Sequence, residues 1–420
     1  MSCSFDLPQD LFVEVLVRLS IQDVVKCTAV CKSWNSNIKN PTFISAHLSL
    51  KKTISFYSCL LLFRLCTTQA KPGSTSPECV EHYSLRFDNE KVDEYKKLHF
   101  PANEFQSTGR CFRVAGSYNG LVCLVDDQMG PYRDNFILWN PSIRKAVRTA
   151  RPTVTFFSHG PFEAFVGFGF DSETSDYRLL RFVQLILDDY KICIEVEVYS
   201  LNLNRWKSIT DIAPNYCVSI PMRKTYGHSF VNGAIHLLAY DRKGNQGRIV
   251  VLAFDVSREV FSEMALPDFL SNDYKRLVDS EILIYGQSSI AVLTDDYHKM
   301  YLWVMKEYGV SSSWTKVLVG AGERVPRVLF FRKEEEVFLI TDLGGRIASF
   351  DIKSQHFKNV VFDSLNLSSI DSILTGKMYP VVDSFAESLV LLDKGTPFCY
   401  VIDESGGTEA PLPLMEVLCG

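Results

Sequence analysis

A strand–turn–strand unit that recurs along most of this chain limits the folds that are open to it. In each copy an apolar strand ends in an aromatic residue, turns through a few polar residues and restarts. Repeats of roughly 40 to 50 residues with about four strands each are typical of propeller blades, which bury both faces only against neighbouring blades. The aromatic residues of successive copies lie 47 to 60 residues apart, at Trp139, Tyr199, Phe254, Trp303 and Phe350, with a weaker copy around Ile402.

Short strands and tight turns dominate the chain beyond its first 48 residues. From about Lys52 onward the apolar segments are rich in Val, Ile, Phe, Tyr and Thr and are separated by Asn, Asp, Gly and Ser, as expected for β-strands. The sequence therefore predicts a large all-β domain over residues 49–420, folded as a β-propeller of about six blades. We expect the closing blade, which removes exposed sheet edges, to combine the N-terminal strands SFYSCLLLFRL, HYSLRFD and GLVCLVD with the C-terminal strands SLVLLD and FCYVID.

The first 48 residues have a helical period instead. Pro8 stands in the first turn of a predicted helix, and Ser20 and Asp23 have the spacing of a capping box that begins a second helix, which Pro41 ends. A small all-α unit of this size cannot build a stable core alone, so its apolar residues require a partner or the rest of the chain. They are Leu11, Phe12, Val15, Leu16 and Leu19 in the first helix, and Cys27, Val30, Cys31, Trp34 and Ile38 in the second.

Composition and charge exclude several classes of protein. With 420 residues, 46% of them hydrophobic and 22% charged, the chain can bury a large core. A net charge of -5 without a dense run of Lys or Arg argues against nucleic acid as a partner. The N-terminus lacks the features of a secretory signal, and the apolar run from Ser55 to Leu65 is shorter than the ~20 residues of a membrane span. We therefore expect a cytoplasmic or nuclear protein without a membrane partner.

The 12 cysteines are expected to be reduced thiols. They form no C-x-x-C pair, so the sequence predicts no structural zinc site. The apolar strings LVCLV around Cys123 and KICIEV around Cys193 are typical of buried cysteines that pack as small hydrophobic residues.

The sequence offers few candidates for catalysis. Paired carboxylates at 126–127, 188–189 and 295–296 suit a glycosidase-like site, but each pair follows a strand, where Asp favours the turn itself. The eight histidines have no metal-ligand spacing. Close backbone approach explains Gly167 and Gly169, and a tight hairpin explains Asn232-Gly233. We predict a non-enzymatic protein without cofactor or metal, and the alternative is a carbohydrate-binding or hydrolysing propeller.

The helical segment contains a specific series of residues. In order they are Leu7-Pro8, Asp10-Leu11, Glu14, Leu16, Arg18-Leu19, Val30-Cys31-Lys32 and Trp34. This series resembles the F-box, the module by which ubiquitin-ligase receptors hold a Skp-family adaptor. Ser20 stands where the pattern usually has proline, and serine is itself a good N-cap. The resemblance implies that residues 1–48 bind the adaptor. The residues implied in this contact are Leu7, Pro8, Leu11, Leu16, Val24, Val30, Cys31 and Trp34.

Several segments of the β domain carry a second resemblance. They include GSYNGLVCL, WNPSIRK, GFGFDSETSDYRLLRFV, VEVYSLNLNRWKSI and HSFVNGAIHLL. These segments are similar to the F-box associated domain of plant F-box proteins. The two resemblances together imply the substrate-recognition subunit of an SCF-type ubiquitin ligase, joined through the adaptor to cullin and RING subunits. An F-box protein that acts outside a cullin ligase remains an alternative.

The protein target is not identified by these motifs. The S-locus branch of the family recognises ribonucleases in self-incompatibility, but the motifs do not select a branch. Propeller specificity is expected in the loops between strands. Examples here are DDQMGPYRDN, FFSHGPFE and YDRKGNQGR, whose polar, aromatic and arginine content suits protein recognition.

Overall fold

The computed structural model of the chain contains a helical segment followed by a closed ring of antiparallel sheets. The helices of this segment are α1 (Gln9–Leu16), α2 (Ile21–Cys27), α3 (Lys32–Ile38) and α4 (Pro41–Ile54). The structure describes residues 9–54, 60–69, 78–100, 112–126, 135–186, 192–219, 229–241, 247–272, 277, 280–295, 299–321, 327–333, 336–341, 346–354, 356–359 and 380–394.

Six sheets, numbered here as blades, follow the helices, and five of them use strands that are consecutive in the sequence. Blade 1 contains β25 (Val381–Phe385), β1 (Leu60–Gln69), β2 (Glu78–Phe87) and β3 (Glu94–Leu98). Blade 2 contains β4 (Phe112–Tyr118), β5 (Leu121–Asp126), β6 (Phe136–Asn140) and β7 (Lys145–Arg148). Blade 3 contains β8 (Phe162–Asp171), β9 (Asp176–Ile186), β10 (Ile192–Ser200) and β11 (Arg205–Ser208).

Blades 4 to 6 complete the ring. Blade 4 contains β12 (Cys217–Val218), β13 (Phe230–Val231), β14 (Ala234–Asp241), β15 (Arg248–Asp255) and β16 (Val260–Ala265), with β12 and β13 both paired to β14. Blade 5 contains β17 (Ser280–Tyr285), β18 (Ser289–Asp295), β19 (Lys299–Met305) and β20 (Trp314–Ala321). Blade 6 contains β21 (Arg327–Lys333), β22 (Glu336–Thr341), β23 (Arg346–Asp351) and β24 (His356–Asn359). Two short helices are α5 (Phe156–His159) and α6 (Asp268–Ser271).

The innermost strands of neighbouring blades contact one another around the ring. β25 contacts β4 and β21, β8 contacts β4 and β13, and β17 contacts β14 and β21. This arrangement confirms the prediction of a β-propeller of about six blades behind a small all-α segment. The hydrophobic core lies mainly between adjacent blades, as expected for sheets that cannot bury both faces alone.

The closing blade combines both ends of the chain, although its strands differ in part from those predicted. β25 pairs with β1 from Leu60 opposite Phe385 to Arg64 opposite Val381. GLVCLVD lies in blade 2 instead, because the tight turn at Asn119-Gly120, both with positive φ, joins it to the preceding strand β4. SLVLLD follows β25 as a non-strand segment, and FCYVID lies outside the described residues, as does the weak repeat around Ile402.

Three sequence-based explanations of glycine positions are confirmed at the contact between blades 3 and 4. A Cβ at Gly167 would overlap the side chain of Ile235, and one at Gly169 would lie 2.7 Å from the ring of Phe230. These strand glycines therefore allow the inner strands to approach closely. Asn232-Gly233 forms the predicted two-residue turn, with φ values of 52° and 75°.

The helical segment contains two more helices than the sequence predicts. α2 ends at Cys27, where the Thr28 hydroxyl donates to the Val25 carbonyl (2.6 Å) and competes with helix continuation. Pro41 begins α4, because proline fits the first turn of a helix and the Asn40 side chain accepts from the Thr42 amide. The predicted start of the second helix is confirmed, since the Ser20 hydroxyl oxygen caps the Asp23 amide at 3.2 Å.

A single cluster of buried apolar residues continues from the helices into the propeller. Its helical members are Leu16, Ile21, Val24, Ile38, Phe43 and Ile44. Its propeller members include Leu121, Cys123, Phe168, Tyr177 and Leu201, together with Leu389, Val390 and Leu391. The apolar stripe of the helices is therefore buried in part against the propeller of the same chain.

Residues 386–394, here called the tail segment, are hydrogen-bonded to side chains of blade 2. The Asn140 side-chain nitrogen donates to the carbonyls of Ser388 (3.0 Å) and Val390 (2.7 Å), and the Lys145 ammonium donates to the Leu392 carbonyl (3.2 Å). Asn140 is fully buried. Buried carbonyls need such donors because an unsatisfied polar group is costly away from water.

Replacing Asn140 with alanine should lower the free energy of unfolding by about 2–3 kcal/mol, because it removes the donor to two tail-segment carbonyls. Chemical denaturation of the full chain measures the change. Asn202→Ala is the control, since Asn202 is exposed and its side-chain oxygen accepts one long hydrogen bond, 3.4 Å, from the Lys394 ammonium of the tail segment. Equal losses in the two variants would contradict the fastening role of Asn140.

Buried His236 connects blade 4 to blade 5. One ring nitrogen, Nδ1, lies 2.9 Å from the Ser229 carbonyl and therefore donates to it, so that Nε2 accepts from the Tyr308 hydroxyl at 2.7 Å. Burial lowers the pKa of His236 to about 4. The ring is therefore neutral in the folded protein at neutral pH.

The stability of the protein should fall as the pH falls from 6.5 towards 4. Over this window the unfolded chain takes up a proton at His236 and the folded chain does not, so protonation favours unfolding by up to about 3 kcal/mol. Comparing the pH dependence of unfolding in the wild type and in His236→Gln isolates this contribution. The variant should show the smaller decrease, and an identical decrease in both proteins would contradict the assignment.

Candidate functional site

The two ends of the propeller differ in their connections. Because successive strands of each blade alternate in direction, the two-residue turns at 119–120 and 232–233 lie at one end, with the turns at 141–144 and 201–204. We call this the turn end. The connections from one blade to the next, such as residues 149–161, lie at the opposite end, here called the connection end.

The helices lie at the turn end. Tyr118, Ile143 and Leu201, which adjoin short turns, belong to the same apolar cluster as the helices. Burial, and next the positive charge of Lys39, lower the pKa of Lys145 to about 8. The end of α3 therefore lies close to the β6–β7 turn of blade 2, at the turn end.

The predicted adaptor residues differ in exposure. Leu16 and Val24, with 3% and 0% exposure, face the internal core of the chain. Leu11 and Val30 are about half exposed, at 48% and 53%. The remaining predicted residues comprise Cys31 and Trp34, which are partly buried, and Leu7 and Pro8, which lie outside the described residues.

An exposed apolar stripe runs along α1. Leu11 and Val15 are four residues apart and thus lie on one face of the helix, and Val15 is 59% exposed. Beside this stripe, Glu14 and Arg18 are also four residues apart and form a salt bridge of 2.9 Å. The predicted adaptor set omits Val15, although its spacing from Leu11 is the signal that identifies it.

The stripe is supported from beneath by packed aromatic rings. Phe12 meets Trp34 of α3 edge to face, with 4.7 Å between the ring centroids. Both residues pack against the apolar cluster that reaches into the propeller. Trp34 therefore holds α1 against α3, while Leu11 and Val15 of α1 stay exposed.

The described segments hold no assembled metal site, and the candidate carboxylate pairs lie only partly within them. No group of three or more His, Cys, Asp or Glu side chains is placed to hold a metal ion there. Of the predicted carboxylate pairs, 188–189 and one member of each other pair lie outside the described residues. Cys123 is buried as predicted, and burial raises the pKa of its thiol. Cys193 was also predicted to be buried, but it is exposed, because it lies on the opposite face of β10 from the buried Ile194.

The connection end presents one of the three predicted specificity loops in full. FFSHGPFE spans α5 and the start of β8, whereas most of DDQMGPYRDN and YDRKGNQGR lies outside the described residues. The run from Ser55 to Leu65 contributes the buried residues of β1 from Leu61 onward. No helix among the described residues is long and apolar enough to cross a membrane.

Comparisons with known proteins identify both parts of the chain. An F-box-like family model matches residues 5–51, and the model of the F-box associated beta propeller domain matches residues 75–392. F-box protein CPR1 of Arabidopsis thaliana is 25% identical over 370 residues, which cover 83% of each chain. F-box protein At4g22390 of the same plant is 25% identical over 421 residues, covering 93% of this chain and 92% of that protein.

One further relative and one solved structure show the range of similarity. The F-box/kelch-repeat protein At3g23880 of Arabidopsis thaliana is 25% identical over 74% of this chain and 79% of its own length. A chain in the Nidogen/Laminin complex aligns with a TM-score of 0.39 and 12% identity over 77% of this chain and 98% of that one, which is too distant for a comparison of sites. Because the two family models cover the helices and most of the propeller, the chain belongs to the F-box proteins that carry an F-box associated β-propeller domain.

Proposed function

We propose that this chain is the substrate-recognition subunit of an SCF-type ubiquitin ligase. Residues 1–48 bind a Skp-family adaptor, and through it cullin and RING subunits, while residues 49–420 recruit a protein target in the cytoplasm or nucleus. The observation that carries the proposal is the exposed stripe of Leu11 and Val15 on an F-box helix that is itself packed against a propeller. F-box proteins of this architecture are typically receptors in such complexes.

The contribution of the chain to ubiquitin transfer is proximity. The propeller holds the target, and the helical segment, through the adaptor, brings a conjugating enzyme into the same complex. Tethering both components raises the effective concentration of a target lysine near the enzyme without any chemistry by the receptor itself. The shared core between helices and propeller favours this role, because it fixes the orientation of the two binding surfaces.

The proposed adaptor contact uses the exposed residues of the helical segment directly. Leu11, Val15 and Val30 form its described part, and Leu7 and Pro8 extend it towards the N-terminus. Buried Leu16 and Val24 support this surface from the side of the propeller. Cys31 and Trp34 contribute their partly exposed atoms and fix α1 against α3.

The double variant Leu11→Asp/Val15→Asp should bind the adaptor at least about 10-fold more weakly, because two carboxylates would lose their hydration in an apolar interface. Binding of the full chain to a purified Skp-family adaptor measures the effect. Leu11 lies in the first turn of α1, where an acidic residue suits the helix dipole. Far-ultraviolet circular dichroism verifies that the helices remain folded.

A matched substitution on the propeller controls for added charge. Val260→Asp changes a valine of similar exposure, 49%, on blade 4 and should leave adaptor binding intact. The double variant Leu7→Ala/Pro8→Ala should also lose the complex. Undiminished adaptor binding by both double variants would refute the proposed contact.

A further inference from the structure

A nearly buried lysine lies where the helices, blade 2 and the tail segment meet. Lys145, the first residue of β7, is 4% exposed, and its ammonium donates to the Leu392 carbonyl at 3.2 Å. No carboxylate of the described residues lies within ion-pair distance of this ammonium. A buried charge normally has a counter-charge in contact, because its loss of hydration is otherwise uncompensated.

The charges that act on Lys145 are mostly of its own sign. Burial, and next the positive charge of Lys39 at the end of α3, lower the pKa of Lys145, while the charge of Asp393 raises it. Lys39 forms no ion pair within the described part of the chain. Asp393 lies 3.6 Å from the Lys394 ammonium, so it already compensates a different lysine. Three ammonium groups thus share the single carboxylate that acts on Lys145.

The segments that meet at this junction supply few carboxylates. Residues 24–77, which include α3 and α4, contain no Asp or Glu, and neither does the β6–β7 hairpin, residues 136–148. The tail segment contributes Asp393 and Glu387, of which Glu387 lies beside the Tyr95 hydroxyl of blade 1 at 3.5 Å. The positive charge at the junction is therefore local, since the chain as a whole has a net charge of -5.

The turn that precedes Lys145 holds a second polar group without a partner. The Asn140 side-chain oxygen accepts from the Ser142 amide at 2.9 Å, which fixes the turn against the tail segment that Asn140 also binds. Ser142 is 8% exposed, and its hydroxyl has no hydrogen-bond partner among the described groups. Buried hydroxyls are nearly always hydrogen-bonded. This hydroxyl is thus an unused donor three residues from Lys145.

A structural role alone explains Lys39 but not Lys145. A cation is favoured at the C-terminal end of a helix, which accounts for Lys39 at the end of α3. Lys145 gives up hydration for one hydrogen bond to a neutral carbonyl, and with a pKa of about 8 it still carries its charge in most molecules at pH 7. An apolar side chain would fill the same space at a lower desolvation cost. The uncompensated ammonium therefore favours an anionic ligand.

We infer that Lys145 and Lys39, with the Ser142 hydroxyl, bind a phosphate group between the end of α3 and blade 2. Phosphate carries more than one negative charge at neutral pH and accepts several hydrogen bonds, which matches two ammonium groups and a hydroxyl. The bound group would link the helical segment to the propeller across their junction. The site is independent of the proposed receptor function, because it needs neither an adaptor nor a target.

The test measures binding of inorganic phosphate, and separately of tripolyphosphate, to the full chain by calorimetric titration at pH 7 and constant ionic strength. Lys39→Met and Lys145→Met should each weaken binding about 10-fold or more, because each removes a charged donor to the phosphate group. Lys26→Met is the matched control, since it removes the same charge from an exposed lysine of α2 that pairs with Asp23 at 3.1 Å. It should bind as the wild type does.

Thermal unfolding provides a second measurement on the same proteins. At ten times its dissociation constant, the bound probe should raise the Tm of the wild type and of Lys26→Met by about 1–2 °C. At the same concentration the Tm of Lys39→Met and of Lys145→Met should change less. Lys39 is only partly buried, so Lys39→Met decides the test even where Lys145→Met does not fold.

The two probes distinguish the sources of the phosphate group. Binding of inorganic phosphate supports a site for the free ion, and binding of tripolyphosphate alone supports a site for one phosphate group of a larger polyanion. Equal affinities in the wild type, Lys39→Met and Lys145→Met would overturn the site, since they would reduce the effect to a general response to anions. Absence of saturable binding of both probes would overturn it as well.

Discussion

The pairing of β25 with β1 is the constraint on which the arrangement of the whole chain depends. Leu60, the first residue of β1, lies opposite Phe385, the last residue of β25. The helices that precede β1 and the tail segment that follows β25 must therefore emerge at the same end of the propeller. Closure of the ring thus brings together two segments from opposite ends of the sequence, and Leu389 and Leu391 of the tail segment join the apolar cluster that contains Leu16 and Val24.

This shared cluster determines what a small helical segment can do. Four short helices lack a core sufficient for independent stability, and here they complete it with side chains of blades 2 and 3 and of the tail segment. One side of the helices is consequently occupied by the chain itself, and the opposite side, with Leu11 and Val15, is left exposed. In the proposed receptor role, this shared core would keep the two binding surfaces at a fixed separation, whereas a flexible linker would let their relative orientation vary and dilute the effective concentration of the target.

The number of blades was predictable from the sequence. The blade that a given strand joins and the surface that a given apolar residue faces were not. Repeated strands reveal the propeller because each blade needs the same burial, but GLVCLVD was assigned to the wrong blade because an apolar strand does not encode its neighbour. The Asn119-Gly120 turn decides that pairing. Helical spacing places Leu11 and Leu16 on an apolar face, and the F-box resemblance adds Val24. Neither can tell an internal core from a partner's surface, and the structure places Leu16 and Val24 inside. Phe156 and Phe157 lie in FFSHGPFE, which the sequence predicts to be a recognition loop, and the fold adds how far each ring is exposed.

The buried polar groups indicate where the propeller must fix the position of a backbone segment as well as stabilise the fold. Asn140 and the pair of Arg181 and Glu197 all bond to backbone of connecting segments, the tail segment at one end and residues 153–154 at the other. Apolar side chains of similar size would fill the same space at lower desolvation cost, but they could not specify the position of a loop, since hydrophobic contacts have little directional preference. Hydrogen bonds from buried groups supply that direction. The blades thus provide stability through apolar packing. The buried polar groups fix the backbone of the tail segment at one end of the propeller and the backbone of residues 153–154 at the other.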